Sequence, residues 1–361
     1  MSLMYFFNSV DRSNLGNAKT DGMDKDLGFV GEQYSLLILL FYVPNGLCDL
    51  PLNMLTKRWS GKVMLPGSFS GLISFGVFQI EHVAIKGWMW LFLIEASPES
   101  AWFLTSAEKD AARARSRRDS SGKVSESYNV KEMFQHWNNW KFFPWCVISF
   151  TYPVAFATTS NFLPQIVARL GYSTIKTNLW TVAPNAVGFV CLLLITWSSD
   201  RQRERTWHII FALAVSLAGL IILAAIDPLR QPAVAYLATF LLAAGAYVPS
   251  CLVHSWHNNN NLSENARAAT TGLLVGLGNL GGILSAATFR VEYAPSYVPT
   301  LAATAACNVT CMVFTAWLGG WMKLENGRRD AAMGVKLRAG DVDTAELVAE
   351  GEADPRWRYF T

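Results

Sequence analysis

The chain has 361 residues, 52% of them hydrophobic and 16% charged, and a net charge of +3. Soluble domains carry about 25% charged residues, so the composition excludes an ordinary water-soluble globule. The small net charge argues against nucleic acid as a main partner.

The first predicted element, Met1–Ala18, is apolar only to Val10 and then reads Asp-Arg-Ser-Asn, like the exit half of a helix. It lacks a basic leader and a small-residue cleavage site, so no signal peptide is expected. Tyr34–Leu55 is a long apolar segment interrupted by Pro44, Asp49 and Pro51, and Val63–Ile80 is another. Ile85–Ala96 is apolar but too short to span a bilayer, and Lys86 and Glu95 bracket it. Residues 105–141 are polar and basic. A solvated loop is the default expectation there, with a short amphipathic helix as the alternative.

Six uncharged apolar runs then follow: Phe142–Ala168, Leu179–Trp197, Trp207–Ile226, Ala233–Val253, Ala268–Phe289 and Thr300–Met322. Each approaches or exceeds the roughly 20 residues a helix needs to cross about 30 Å of hydrocarbon. Six in series predict an all-α polytopic membrane protein. The tail beyond Asp330 is mixed in charge and is expected to be mobile.

Lys and Arg gather on alternate connections: the 105–141 linker, Arg201, Arg203 and Arg205, then Arg267, then Lys323, Arg328 and Arg329. By the positive-inside rule these connections are expected to be cytoplasmic. Three apolar segments from an inside N-terminus would leave Ile80 outside, yet the basic linker belongs inside. The chain therefore has a parity conflict before residue 105, and the short patch at Ile85–Ala96 does not resolve it. The six cysteines (Cys48, Cys146, Cys191, Cys251, Cys307 and Cys311) fall inside predicted spans and fit neither a disulfide framework nor a zinc site. His254 and His257 could share a helix face, but two ligands without a third are weak evidence for metal. No HExxH, GxSxG or Walker loop is present, so neither an enzyme nor a cofactor is expected.

Several stretches resemble the major facilitator superfamily, and more narrowly its fungal anion:cation symporters of the allantoate, pantothenate and nicotinate permease type. They are Asp11-Arg12-Ser13-Asn14-Leu15-Gly16-Asn17, Pro51-Leu52-Asn53 with Lys57-Arg58, Gly87-Trp88-Met89-Trp90, and Trp102-Phe103-Leu104-Thr105 with Glu108. Further along come Ser199-Asp200-Arg201, Asn258–Asn261, Gly278-Asn279-Leu280-Gly281-Gly282, Ala294-Pro295-Ser296-Tyr297 and Asp354-Pro355-Arg356-Trp357-Arg358-Tyr359. The resemblance implies two six-helix halves. It divides the chain into an incomplete N-terminal bundle (1–96), a central linker (97–141), a complete C-terminal six-helix bundle (142–322) and a cytoplasmic tail (323–361). It departs where the family has its fourth and fifth helices, between Ile80 and Gly87, and the body of its sixth, between Ala96 and Ser97. The parity conflict follows from those omissions.

The implied activity is proton-coupled transport of a small organic anion across the plasma membrane by alternating access. Its partners would be a small carboxylate substrate, a proton and the lipid bilayer. The alternative is a transport-inactive truncated paralogue that acts at most as a membrane interaction protein. Charges inside a membrane are costly and usually functional, and Asp11, Arg12 and Asp49 are the deep candidates. Arg12 offers a bidentate fork for a carboxylate. The resemblance implies that role for it and proton carriage for Asp11, whereas an Asp11–Arg12 pair that only fixes packing is the plainer reading. Asp49 is expected near the cytoplasmic end of its helix, where gating or packing competes with proton transfer. Asn279, in a glycine-rich helix, and Asn161 and Gln165, between and beside Pro153 and Pro164, are the candidate substrate contacts. Those prolines are expected to interrupt their helix at mid-membrane depth, where carriers bind substrate.

Overall fold

A computed structural model describes residues 129–168, 170–171, 173–293, 296–339, 342, 347 and 351–361. Of the earlier chain it describes positions 23, 29, 33, 36, 38, 39, 42, 43, 46–51, 54, 105–108 and 110. Asp11 and Arg12 lie outside the described residues, as do Val63–Ile80 and Ile85–Ala96.

The described chain is helical throughout, with no strand among the described residues. Its helices are α1 (Val130–Gln135), α2 (Phe142–Ala168), α3 (Thr174–Gln202), α4 (Thr206–Ala225), α5 (Pro232–Ala246), α6 (Val248–Asn259), α7 (Glu264–Thr288) and α8 (Val298–Met333). Among the described residues, six helices are long and apolar enough to cross a bilayer, counting α5 and α6 as one span, Pro232–Asn259. The protein is a polytopic helical membrane protein.

The fourth run differs from expectation. It is two helices, broken at Tyr247. Pro249 has no N–H to donate to the Gly245 carbonyl four residues back, and its ring crowds that carbonyl. The prolines of α2 do not break their helix, which runs unbroken from Phe142 to Ala168 through Pro153 and Pro164. Pro153 instead packs on Gly278 of α7: a Cβ there would lie 3.2 Å from the proline Cγ.

α2 is the central helix, with 67% of its most apolar window buried, whereas α3 has 17% and presents Ile175, Leu179, Val182, Phe189, Leu194 and Trp197 outward. Small residues set the close packing, as in other membrane bundles where packing rather than hydrophobic exclusion joins helices. Gly219 of α4 meets Ala238 of α5, Gly188 of α3 meets Ala243, and Gly281 of α7 meets the Phe150 carbonyl of α2. Hydroxyls supply polar ties inside the bundle: Thr158 bonds both Ser285 (2.8 Å) and Thr304 (3.1 Å), and Asn308 Nδ2 donates to Ser216 Oγ (3.3 Å).

The described end of the tail packs on the bundle, where composition alone suggests a mobile segment. Residues 351–361 form a strap across the basic end of the bundle. Two asparagine carboxamides act as surrogate strand partners for its backbone. Asn326 accepts from the Tyr359 N–H and donates to the Tyr359 carbonyl, both at 2.9 Å. Asn260 does the same for Phe360, again at 2.9 Å in both directions. Trp256 Nε1 also donates to the Phe360 carbonyl (2.8 Å), and the Arg205 N–H donates to the Thr361 carbonyl. Arg358 is fully buried and donates to Asp330 (2.8 Å) and to the Trp357 and Pro355 carbonyls. Lys141 pairs with Glu352 and donates to the Tyr359 hydroxyl (3.2 Å). Burial pushes the Tyr359 phenol well above its ordinary range. The described end of the linker, at α1, packs on the bundle too: Met133 is buried, and Glu132 accepts from Ser263 (3.0 Å) and Asn265 (3.2 Å).

Candidate functional site

Helical positions between 33 and 51 lie in the groove between α2 and α7, and this contact brings three of the sequence candidates together. Ile38 and Tyr42 are buried with Ala157, Phe162, Ala286 and Phe289. The segment runs antiparallel to α7: the Tyr42 ring covers Gly282, while Gly46 meets Gly276 and lies near Asn279. A Cβ on Gly276 would lie 2.7 Å from the Gly46 carbonyl oxygen, a distance real Cβ atoms do not show. Position 276 needs glycine for the helices to approach this closely, and a Cβ on Gly46 would sit tightly, 3.2 Å from the Gly276 carbonyl oxygen.

That approach fixes the register one turn further on. Asn279 Nδ2 donates to Asp49 Oδ2 at 2.6 Å. Asn279 is fifteen residues into α7, about 22 Å along a helix of about 37 Å. Asp49, near the end of its own described helical positions, therefore faces the middle of α7. The Gly46–Gly276 contact is the physical reason: it draws the segment inward until the Asp49 carboxylate meets the carboxamide.

Asn161 is buried, and its Nδ2 donates to the Tyr42 hydroxyl at 3.0 Å. Gln165 is buried as well, with no hydrogen-bond partner for Nε2 among the described residues. It lies three residues from the end of α2, about 5 Å, so it is not at mid-membrane depth. Asp49, Asn279, Asn161 and Tyr42 thus form one polar face shared by three helices, and Gln165 stands one turn beyond it. Tyr42 escapes sequence reasoning; a phenol inside the interrupted apolar run is its only signal.

His254 and His257 do not converge. His254 Nε2 bonds the Tyr152 hydroxyl (2.9 Å), whereas the His257 ring lies edge-on to Trp145 at 5.2 Å between centroids. No group of three His, Cys, Asp or Glu side chains able to hold a metal occurs among the described residues. All six cysteines are free, with Cys311 buried on α8.

At the basic end, the Ser199-Asp200-Arg201 turn closes α3 through Arg203 in the left-handed conformation (φ 53°). Arg205 pairs with Asp200 at 2.5 Å, and the Glu204 carboxylate accepts the Trp207 N–H (3.0 Å), capping α4. This is a helix-joining turn.

Residues 82–286 match the sequence model of the Major Facilitator Superfamily. The chain belongs to that superfamily. It is 48% identical to the major facilitator-type transporter hxnP of Emericella nidulans, over all of this chain and 90% of that protein. It is 40% identical to the MFS-type transporter efuF of Hormonema carpetanum, over 99% of this chain and 89% of that one. It is also 34% identical to an uncharacterized transporter of Schizosaccharomyces pombe, over all of this chain and 87% of the relative. The alignment with the Emericella protein runs over 447 positions against 361 residues here, so at least 86 of its positions have no counterpart in this chain. Major facilitator proteins move small molecules across membranes; this chain is a membrane transporter by family and not an enzyme.

Proposed function

We propose that this major facilitator protein carries a small organic anion across the plasma membrane, coupled to proton movement, by alternating access around the face between positions 42–49, α2 and α7. The observation that supports this most is the Asp49–Asn279 pair. A carboxylate inside the membrane is costly, and such groups mark ion and substrate pathways. The Asn279 amide is a donor suited to the carboxylate, and the pair brings two of the sequence candidates into one contact. Arg12 is the proposed carboxylate clamp and Asp11 a second proton carrier, both from the sequence pattern. Asn279, Asn161 and Gln165 are the proposed polar contacts, with Gln165 at the outer rim.

The glycine contacts along α7 support the motion. Backbone-to-backbone surfaces without interlocking side chains let one helix slide on another, which a rocking carrier needs.

One observation favours a second reading. The 86 or more positions of the Emericella relative that have no counterpart here amount to several spans' worth of sequence. On that reading the chain keeps one bundle intact and does not transport. Liposomes decide between them. The purified chain is reconstituted, an inward proton gradient is imposed, and uptake of radiolabelled allantoate, pantothenate and nicotinate is followed. Accumulation above empty liposomes, abolished by a protonophore, is the expected result. Uptake equal to empty liposomes for every acid sinks the carrier reading and leaves the inactive one.

A further inference from the structure

We infer that His254 on α6 is a substrate-binding residue whose Nδ1 hydrogen-bonds the carboxylate of the transported acid, in an aromatic-lined subsite made with Tyr152, Phe156, Tyr247 and Asn185. The inference rests on the carrier reading and adds a contact on a face that the sequence candidates do not reach.

The first argument is position. Tyr152 lies ten residues into α2, about 15 Å from its start. Tyr247 marks the break between α5 and α6, midway through the span Pro232–Asn259. Discontinuous helices at mid-membrane depth are where transporters bind substrate, because helix ends and loosened backbone supply polar groups there. Tyr247 and Asn185 add side-chain polarity at the same level: the Tyr247 hydroxyl donates to Asn185 Oδ1 at 2.7 Å, and Asn185 is exposed on α3.

The second argument is hydrogen-bond accounting. A neutral imidazole has one donor and one acceptor nitrogen. The Tyr152 hydroxyl lies 2.9 Å from Nε2. A neutral phenol is the natural donor in that pair, which makes Nε2 the acceptor and puts the ring proton on Nδ1. Nδ1 is enclosed and has no partner among the described residues. Native structures pair nearly all such groups, and an exception asks for an explanation. Inside a bilayer no bulk water stands ready to satisfy it. A ring N–H left without a partner in this way is the complement of a carboxylate oxygen.

The third argument is the lining. Tyr152 and Phe156 are one turn apart on α2. Their rings meet His254 and Tyr247 edge-to-face, with centroids 6.1 Å and 5.5 Å apart. The four rings make a mostly apolar, aromatic wall. α2, α5 and α6 contain no Asp, Glu, Lys or Arg, so an incoming anion meets no like charge from these helices.

Two variants separate the ring nitrogens. The amide of His254→Gln reaches where Nε2 stands and keeps the Tyr152 contact but leaves the Nδ1 position empty. The amide of His254→Asn reaches where Nδ1 stands. Binding of nicotinate, benzoate and pantothenate to the purified full chain is measured by calorimetry. The expected result is about 10- to 100-fold weaker binding for His254→Gln, the worth of one charge-assisted hydrogen bond, with most affinity kept by His254→Asn. The unaltered chain supplies a second readout that does not depend on variant folding. A bound acid should slow carbethoxylation of His254 by diethyl pyrocarbonate, mapped by mass spectrometry, and leave His208 at the basic end unaffected. Equal affinity in the Gln variant, or unchanged His254 reactivity with acid bound, overturns the inference while the carrier reading stands. If none of the three acids binds the unaltered chain, the carrier reading fails with it.

Discussion

Gly46 and Gly276 touch backbone to backbone, 230 residues apart in sequence, and this contact holds the N-terminal helical positions against α7. Gly276→Val should break it. The new side chain would have to enter the Gly46 carbonyl, and overpacking of this kind costs about 1–3 kcal/mol. Gly320, where an added Cβ would meet nothing within 4 Å among the described residues, is the control. Melting of the purified chain in detergent should fall for Gly276→Val and stay unchanged for Gly320→Ala. Equal melting of the two would mean that the segment is not seated in this groove.

The next contact on the same face, Asn279 with Asp49, makes an electrostatic prediction. Asn279→Asp places two carboxylates at hydrogen-bond distance, where like charges oppose each other and one must hold a proton. Uptake driven by a proton gradient should drop severely in Asn279→Asp and recover in part in Asn279→Asp combined with Asp49→Asn, which restores one acid and one amide. A double variant no better than the single one would show that the two side chains do not act as a pair.

Much of the fold is legible in the sequence because uncharged runs about 20 residues long have few alternatives. Phe142–Ala168 has the same bounds in the sequence pattern and in the structure, Trp207–Ile226 shifts by one residue, and the other runs lengthen where polar ends continue the helix. α8 runs on to Met333 for this reason. The break at Tyr247 is written in Pro249, but composition alone gives Pro153 and Pro164 more weight. Which proline breaks a helix depends on the helix packed against it, and Pro153 has Gly278. Asn279 is legible as a polar group among glycines. Its partner is not, since no local pattern links positions 49 and 279. The strap is illegible for the same reason: its partners, Asn260 and Asn326, are ordinary helix-end residues until the fold brings the tail across them.

Charge on the loops predicts sidedness. Arg203, at the turn closing α3, and Ser296, just before α8, are both exposed and lie at opposite ends of the bundle. With the native cysteines replaced, Arg203→Cys should react with an impermeant maleimide only after the membrane is opened, and Ser296→Cys should react in intact cells. Reaction of both from the same side would overturn the helix assignment.

Asp354 makes the strap sensitive to acid. Hydrogen bonds from Arg356, through its backbone N–H (2.7 Å) and its guanidinium (3.0 Å), hold the carboxyl below the usual aspartate range. A group whose folded pKa is depressed contributes stability that is present above its unfolded value and lost as pH falls through the folded one. Protease accessibility of the tail should therefore be low at neutral pH and rise as pH drops below about 4, the ordinary aspartate range. Asp354→Asn should remove that acid-induced step. A step of the same size in Asp354→Asn would assign it to another carboxylate.

Arg358 gives the sharpest test of the strap. Its guanidinium is fully buried, faces Asp330, and takes up the Pro355 and Trp357 carbonyls. Removing the guanidinium leaves the partly exposed Asp330 and two carbonyls without their donor, at a cost of about 1–3 kcal/mol. Here the tail can leave instead, so the cost should appear as undocking. Arg358→Ala should make the tail susceptible to protease, while the helices beneath it stay intact. Arg358→Lys should rescue only in part, because a single ammonium cannot span both carbonyls and the carboxylate in one plane. The neighbouring contacts supply the internal check. Asn326→Ala removes two backbone hydrogen bonds from Tyr359 without touching a charge, so its effect should be smaller than that of Arg358→Ala. A tail equally resistant to protease in wild type and Arg358→Ala would mean that the strap is held by the asparagine pairs alone.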